Sequence, residues 1–321
     1  MTLRLTVHRA AWLQHVETTL AAYGDRLVPV VKGNGYGFGR ATLHDLLRVR
    51  GGTVCVGTAH ELHDVPGALA PVVLTPTLER PAGDRAVTVT VATLEHVAAL
   101  AGWRGSVMVK LASSMHRYGA SPDALPALVD AVTAAGLDVA AFALHLPLAG
   151  SDDDRLAEVE AWLPHLPGGS LWVSHLTPES AHDLAGRHVD RDIRVRVGTA
   201  LWHGVPRGEF LHLGATVLQS NAVVAGDRVG YHGAIVTTDG TLVCVGAGTS
   251  HGIAPLPPAS GEGPRSPFHF AHQRLALLEP PHMHTSLCLV PQGGRAPRVG
   301  DVVDVQQPLI NVRPDELEWR P

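Results

Sequence analysis

Lysine is nearly absent from this chain: of its 25 basic residues only two, Lys32 and Lys110, are lysines. Where arginine stands in this freely, a retained lysine marks a position whose amine must be able to give up a proton, which a guanidinium does not do. Cysteine is scarce as well. Cys55, Cys244 and Cys288 are too few and too scattered for a disulfide framework, so a reducing cytoplasm is the expected compartment. No apolar run approaches the roughly 18 residues that span a bilayer. The opening MTLRLTVHRAAWLQHV has neither the apolar core nor the cleavage site of a secretory signal. With no basic block and a formal net charge of -5, the chain is not built as a dedicated nucleic-acid binder.

What is present is a globular composition, 45% hydrophobic and 17% charged, long enough for one large domain or two modest ones. Up to about residue 200, short apolar runs alternate with helical patterns. The runs at 27–32, 53–57, 71–75, 86–91, 106–111, 138–146, 170–175 and 192–198 are β-branched or continuously apolar, as strands buried on both faces should be. A helix is expected over 121–136, opening on a Ser/Asp cap and closing on Gly136, and another over 152–166, with acids in its first turn. Eight strands alternating with helices predict an α/β fold, a (β/α)8 TIM-like barrel, with a doubly wound open sheet as the competitor. From Leu213 the texture changes to short strands broken by Gly-Asp and Asp-Gly turns, with a Pro/Gly-rich interruption over 254–267. The expected division is a barrel over 1–212, whose first few residues pair with the second domain, and a mostly β domain over 213–321.

Active sites of such barrels lie at the C-terminal ends of the strands. Lys32, Lys110, His145 and Arg196 all fall at or near the ends of predicted strands, which outweighs the ordinary reading of each as an isolated core residue. The segment VVKGNGYGFG sets Lys32 before Gly33, Gly35, Gly37 and Gly39, glycines that let the backbone turn sharply and approach a ligand.

As a whole, that segment resembles the lysine motif of the alanine racemase family. The resemblance implies that Lys32 forms a Schiff base with pyridoxal 5′-phosphate and that Tyr36 reaches the phosphate, with Phe38 in place of the family's histidine. Further segments are similar at the matching intervals. VKLASSMHRYGA puts Lys110 on an often carbamylated lysine, and Met115 and Arg117 beside the substrate, Arg117 at its carboxylate. FALHLPLAGSD puts His145 beside the cofactor ring. RVGTALWHG, with one residue inserted, puts Arg196 at the pyridine nitrogen and the Gly198 and Thr199 N–H groups at the phosphate. Ser174 or Thr177 adds a hydroxyl there. Decarboxylases of the same fold have an acid at the pyridine nitrogen, so Arg196 sides with the racemases; a guanidinium does not give up its proton, which makes the ring a weaker electron sink.

The resemblance thins in the β domain. Racemisation by two bases needs a group on each face of Cα. GAGTSHG puts Thr249 where the family has its catalytic tyrosine, and His251, two residues on, is the candidate substitute because imidazole side chains in general titrate near neutral. In PPHMHTSLC, Met283 matches a family methionine near the substrate. His282 and His284 also resemble the metal-binding segment of D-threonine aldolases and D-serine dehydratases. A His-x-His pair on a strand would point both rings to one side; a polar pocket lining or surface histidines is the reading preferred over a divalent metal. The resemblance implies a cytoplasmic pyridoxal-phosphate racemase or epimerase acting on an amino acid, a homodimer with sites shared between subunits. The alternatives are a one-base aldolase or dehydratase for a β-hydroxy amino acid, and a protein that binds the cofactor without catalysis.

Overall fold

The computed structural model describes residues 2–82, 86–258 and 264–321, so part of the Pro/Gly-rich interruption lies outside the described residues. The chain forms two compact units. One comprises His15–Gly35 and Arg40–Val205, the other Met1–Gln14, Tyr36–Gly39 and Pro206–Pro321.

The first unit is the barrel. Its strands are β2 (Leu27–Pro29), β3 (Gly52–Val56), β4 (Leu69–Val73), β5 (Thr88–Val91), β6 (Ser106–Lys110), β7 (Asp138–Ala143), β8 (Leu171–Ser174) and β9 (Ile193–Val197), counted after β1 (Leu3–His8). All neighbours pair in parallel in the order β2-β9-β8-β7-β6-β5-β4-β3. A parallel bridge between Val30 and Cys55 joins the two ends of that order, with the Val31 N–H donating to the Cys55 carbonyl at 2.8 Å. Strands such as Leu171–Ser174 are buried along their whole length, which is why they read as continuous apolar runs.

The connections depart from strict alternation. After the helix α1 (Arg9–Tyr23), the elements α2 (Arg40–Arg48), α3 (Leu94–Ala99), α4 (Leu125–Ala134), α5 (Asp152–Trp162), α6 (Pro178–Arg187) and α7 (Thr199–His203) follow β2 and β5 to β9. β3 is followed by a 3-10 helix, Ala59–Asp64, and no helix follows β4 among the described residues. There Pro76 and Pro81 stand five residues apart, too close for a helix to pass. The helix expected over 121–136 begins later. Ser121 accepts the Ala124 N–H at 3.2 Å and so caps a turn, and α4 starts at Leu125 with Pro in its first turn. The helix expected to reach 166 breaks into a 3-10 turn at Leu163–His165, where Pro164 removes an N–H donor. No helix among the described residues is long and apolar enough to cross a membrane.

The second unit is mostly β. The 13-residue strand β10 (Leu211–Val223) is its axis. It pairs antiparallel with β1, with Gly240–Val245 and with Val302–Val305, changing register between Val217 and Gln219. Strand β1 also pairs in parallel with Glu316–Arg320, so both ends of the chain join one sheet. Phe38 belongs to this unit, its ring 5.0 Å from that of Trp12 and 6.4 Å from that of Trp319. Phe38 thus stands in an aromatic cluster with Trp12 and Trp319.

Candidate active site

At the C-terminal end of the barrel, side chains from five strand ends converge. Lys32 stands just beyond β2 and its side chain reaches solvent, yet the surrounding protein desolvates the amine. That desolvation first, then the charges of Arg117 and Arg196, holds its pKa below the ordinary lysine value, with Glu61 opposing. Lys110 ends β6 at 3% exposure, and its Nζ has no hydrogen-bond partner among the described residues. Burial first, then Arg196 and Arg117, lowers its pKa far below 10.5. An amine so placed is stable neutral, or converted to a group that draws on the neighbouring cations.

Arg196, on β9, is buried and threaded into the barrel. Its Nη2 donates to the Leu144 carbonyl at 2.7 Å, and its Nε to that of Val173 at 3.4 Å. His145 lies two residues past β7, and burial followed by Arg196, Lys110, His175 and Arg117 pushes its pKa down to about 2. His175, directly after β8, was not among the sequence candidates. Its ring centroid is 5.0 Å from that of His145, and burial and Arg196 push its pKa to about 4. It holds this place in a left-handed backbone, φ 62°, a conformation uncommon for any residue but glycine. Three bonds fix the turn around it: Tyr23 donates to the Leu176 carbonyl at 2.8 Å, Ser174 Oγ accepts the Leu146 N–H at 3.0 Å, and Asp152 accepts the Thr177 N–H at 3.1 Å.

The loop carrying Met115 and Arg117 is closed at its base, where the Ala112 N–H donates to the Ala120 carbonyl at 2.9 Å and the Ala120 N–H to that of Lys110 at 2.8 Å. Glu158 accepts both the N–H and the hydroxyl of Ser114. Met115 is half-buried; Arg117 is exposed, its guanidinium 4.5 Å from the centre of the Tyr118 ring. Gly198 precedes α7, and its carbonyl accepts the Leu201 and Trp202 N–H groups. The Trp202 indole donates to the Val30 carbonyl at 2.7 Å and holds α7 beside β2. Thr177 caps α6, accepting the Ser180 N–H at 3.2 Å and donating to Asp152 at 2.7 Å. Ser174 and Thr177 therefore both carry structural bonds.

Around Lys32 lies a set of bonds that motif reading missed, because their partners are backbone atoms. Glu61 accepts the Gly33 N–H at 3.0 Å and the Gly57 N–H at 2.7 Å. Arg40 donates to the Gly33 carbonyl at 2.7 Å and pairs with Asp64. The barrel end thus gathers Lys32, Lys110, Arg117, Arg196, His145 and His175, with the Glu61 carboxylate beside Lys32 and bonded to two backbone N–H groups. Such a nitrogen-rich end suits a ligand carrying several negative charges.

The β unit holds the remaining candidates. Tyr36 is buried, with a left-handed backbone at φ 57°. Thr249 is exposed at the start of a 3-10 turn, Thr249–His251. His251 is buried with both ring nitrogens engaged: Nδ1 accepts the Gly248 N–H at 3.1 Å, which leaves Nε2–H to donate to Asp315 at 3.2 Å. His282 and His284 precede the strand Ser286–Pro291 instead of lying on it, so strand alternation does not align their rings. His282 pairs with Glu279, and His284 Nδ1 meets Ser250 Oγ at 2.9 Å. The Ser250 proton goes to the Met283 carbonyl, so His284 Nδ1 is the donor in its bond to Ser250 Oγ. Met283 is exposed. Among the described residues, no group of three or more His, Cys, Asp or Glu is arranged to hold a metal ion.

A profile of the alanine racemase N-terminal domain matches residues 7–206, well over half of the chain. The chain belongs to the alanine racemase family. Solved structures agree at the level of fold. Alanine racemase from Bartonella henselae with covalently bound pyridoxal phosphate is 18% identical over 100% of both chains, with a TM-score of 0.73. The biosynthetic alanine racemase from Pseudomonas aeruginosa is 20% identical over 100% of this chain and 99% of that one, with a TM-score of 0.71. For the enzyme from D-cycloserine-producing Streptomyces lavendulae the values are 19%, 100%, 97% and 0.69. No curated protein matches the sequence at a significant level.

Proposed function

We propose that this member of the alanine racemase family is a pyridoxal-phosphate-dependent isomerase, a racemase or epimerase that moves a proton at the Cα of an amino acid. The observation that carries the reading is the Lys32 amine, held below its ordinary pKa at the C-terminal end of the barrel amid an excess of cationic groups. Bound there, the cofactor supplies an aldehyde carbon for amine exchange and a conjugated ring that takes up the electrons of a broken Cα bond. The protein's part is to bind, orient and move protons. Lys32 offers a neutral amine as nucleophile and, once released, as base on one face of Cα. Arg196 and the neutral imidazole of His145 are the residues that would hold the ring, and a guanidinium would do so without giving up its proton. Gly198 and Thr199 N–H groups, with Tyr36 and the hydroxyls of Ser174 and Thr177, are the phosphate candidates. Arg117 is the candidate for the substrate carboxylate; Met115, Met283 and Lys110 are the further substrate candidates, and the sealed amine of Lys110 fits carbamylation.

The second proton-handling group comes from the turn that carries Thr249 and His251. His251 is the first candidate from sequence, and its bonds to Gly248 and Asp315 give it a structural duty as well. His284, whose ring lies 5.8 Å from that of His251 and whose Nδ1 meets Ser250 Oγ, is the second candidate in this pair. The active species is read as a cytoplasmic homodimer that shares its sites.

The deciding experiment incubates the cofactor-loaded protein with L- and D-amino acids in D₂O. Deuterium at Cα with inversion, lost in Lys32→Ala, is the expected result. A panel in which no amino acid exchanges its Cα proton would sink the proposal and leave a binding protein. A second reading, a one-base aldolase or dehydratase, is favoured by threonine standing where the family has its tyrosine. It predicts cleavage or elimination of β-hydroxy amino acids, sensitive to chelation if His282 and His284 bind metal.

A further inference from the structure

We propose that Glu61 is a positioning residue for Lys32: its carboxylate clasps the Gly33 and Gly57 N–H groups and thereby fixes how the amine is presented at the barrel end. The inference rests on reading Lys32 as the cofactor-binding amine. The two N–H groups come from the continuations of adjacent strands, Gly33 directly after Lys32 and Gly57 directly after β3. One carboxylate oxygen serves each, at 3.0 and 2.7 Å. Only a carboxylate accepts at both oxygens; an amide would turn a donor toward one of the two N–H groups.

The packing explains why residue 57 is glycine. A Cβ there would lie 3.1 Å from both Glu61 oxygens and 3.3 Å from the Cβ of Lys32, so the carboxylate and the root of the lysine share the space over one glycine. Gly33 is gripped from its other side as well, where Arg40 donates to its carbonyl at 2.7 Å while paired with Asp64. The peptide groups after Lys32 are thus held at both N–H and C=O, through a left-handed turn at Gly33 with φ 60°. Glu61 is itself placed by the 3-10 helix Ala59–Asp64, its N–H donating to the Thr58 carbonyl at 3.0 Å. The charged and titratable groups around Lys32 are Arg117, Arg196, His175, Cys55 and Glu61. Glu61 is the carboxylate in this set, so removing its charge leaves the ammonium less favoured.

The test uses the full chain freed of cofactor, with pyridoxal 5′-phosphate as probe. Capture at Lys32 is trapped by borohydride and read by peptide mass across a pH series. Glu61→Gln is expected to move the pH midpoint of capture downward and to slow the high-pH plateau by about ten- to a hundredfold, since misplacement of a reacting group by about 1 Å costs on that order. Glu61→Asp keeps the charge and should recover the midpoint more than the rate. A folded Glu61→Gln protein with the wild-type midpoint and plateau overturns the proposal. Where that variant does not fold, Gly57→Ala displaces the carboxylate without removing it and should slow capture in the same way; wild-type capture in that variant overturns it too. In the wild-type protein, the Gly33 and Gly57 amide resonances must titrate together as the carboxylate protonates; independent behaviour contradicts the clasp. Failure of the wild type to capture the probe at Lys32 would instead reject the functional reading, while the amide titration still decides on the clasp.

Discussion

Both lysines of the chain stand on the barrel unit, one reaching solvent and one sealed without a hydrogen-bond partner among the described residues, and the contrast defines their chemistry. Composition singles them out, since arginine replaces lysine elsewhere. What was not legible is the company they keep, because Glu61 and Arg40 act on peptide groups and leave no motif. The glycines after Lys32 separate in the same way. Gly33 and Gly35 both have positive φ, but a Cβ on Gly33 would meet nothing within 4 Å, whereas one on Gly35 would stand 2.4 Å from the backbone nitrogen of Arg40. Gly33→Ala should therefore cost only the left-handed penalty of about 1–2 kcal/mol, and Gly35→Ala distinctly more, as read from urea unfolding; equal losses would contradict this. His145 makes a pH prediction. Its pKa is about 2 in the native state against roughly 6.5 unfolded. Between those values the unfolded chain binds a proton that the native ring refuses, so stability falls as pH drops below about 6.5. His145→Asn should make unfolding free energy less dependent on pH between 7 and 5, and an unaltered slope would show that the ring is not so shielded.

At the scale of elements, all eight barrel strands were predictable because parallel strands buried on both faces read as β-branched or continuously apolar runs. Helix starts were less so. The Ser121 cap looks like the start of a helix in sequence, yet Pro126, which has no N–H to return to the Pro122 carbonyl, confines it to a turn. The cap at Ser151 was not singled out, although its hydroxyl accepts the Asp154 N–H at 3.1 Å while Asp154 accepts the Ser151 N–H at 2.7 Å. Ser151→Ala should destabilise by about 1 kcal/mol. Thr177→Ala should cost more, because this hydroxyl both caps α6 and donates to Asp152, which holds the turn after His175. Denaturation of the two variants side by side checks the order. The His-x-His expectation failed at this scale too: the pair sits in the bend before its strand, so each ring finds its own partner.

For the whole molecule, ligand linkage gives the clearest measurement. If pyridoxal 5′-phosphate binds only the folded chain, adding it at a hundred times its Kd should stabilise the protein by about 2.7 kcal/mol. Lys32→Ala should lose most of the accompanying rise in Tm, and an unchanged rise would place the cofactor elsewhere. By itself the sequence determined the fold class, the lysine at the strand end and the family, because continuous burial and a glycine-flanked lysine write themselves into local residue order. The tertiary structure alone decided what surrounds that lysine. His175 beside His145, the Glu61 clasp across two strand ends and the bonds that occupy His251 join residues distant in sequence or reach backbone atoms. The hydrogen bonds that make them carry no side-chain signature a sequence could display.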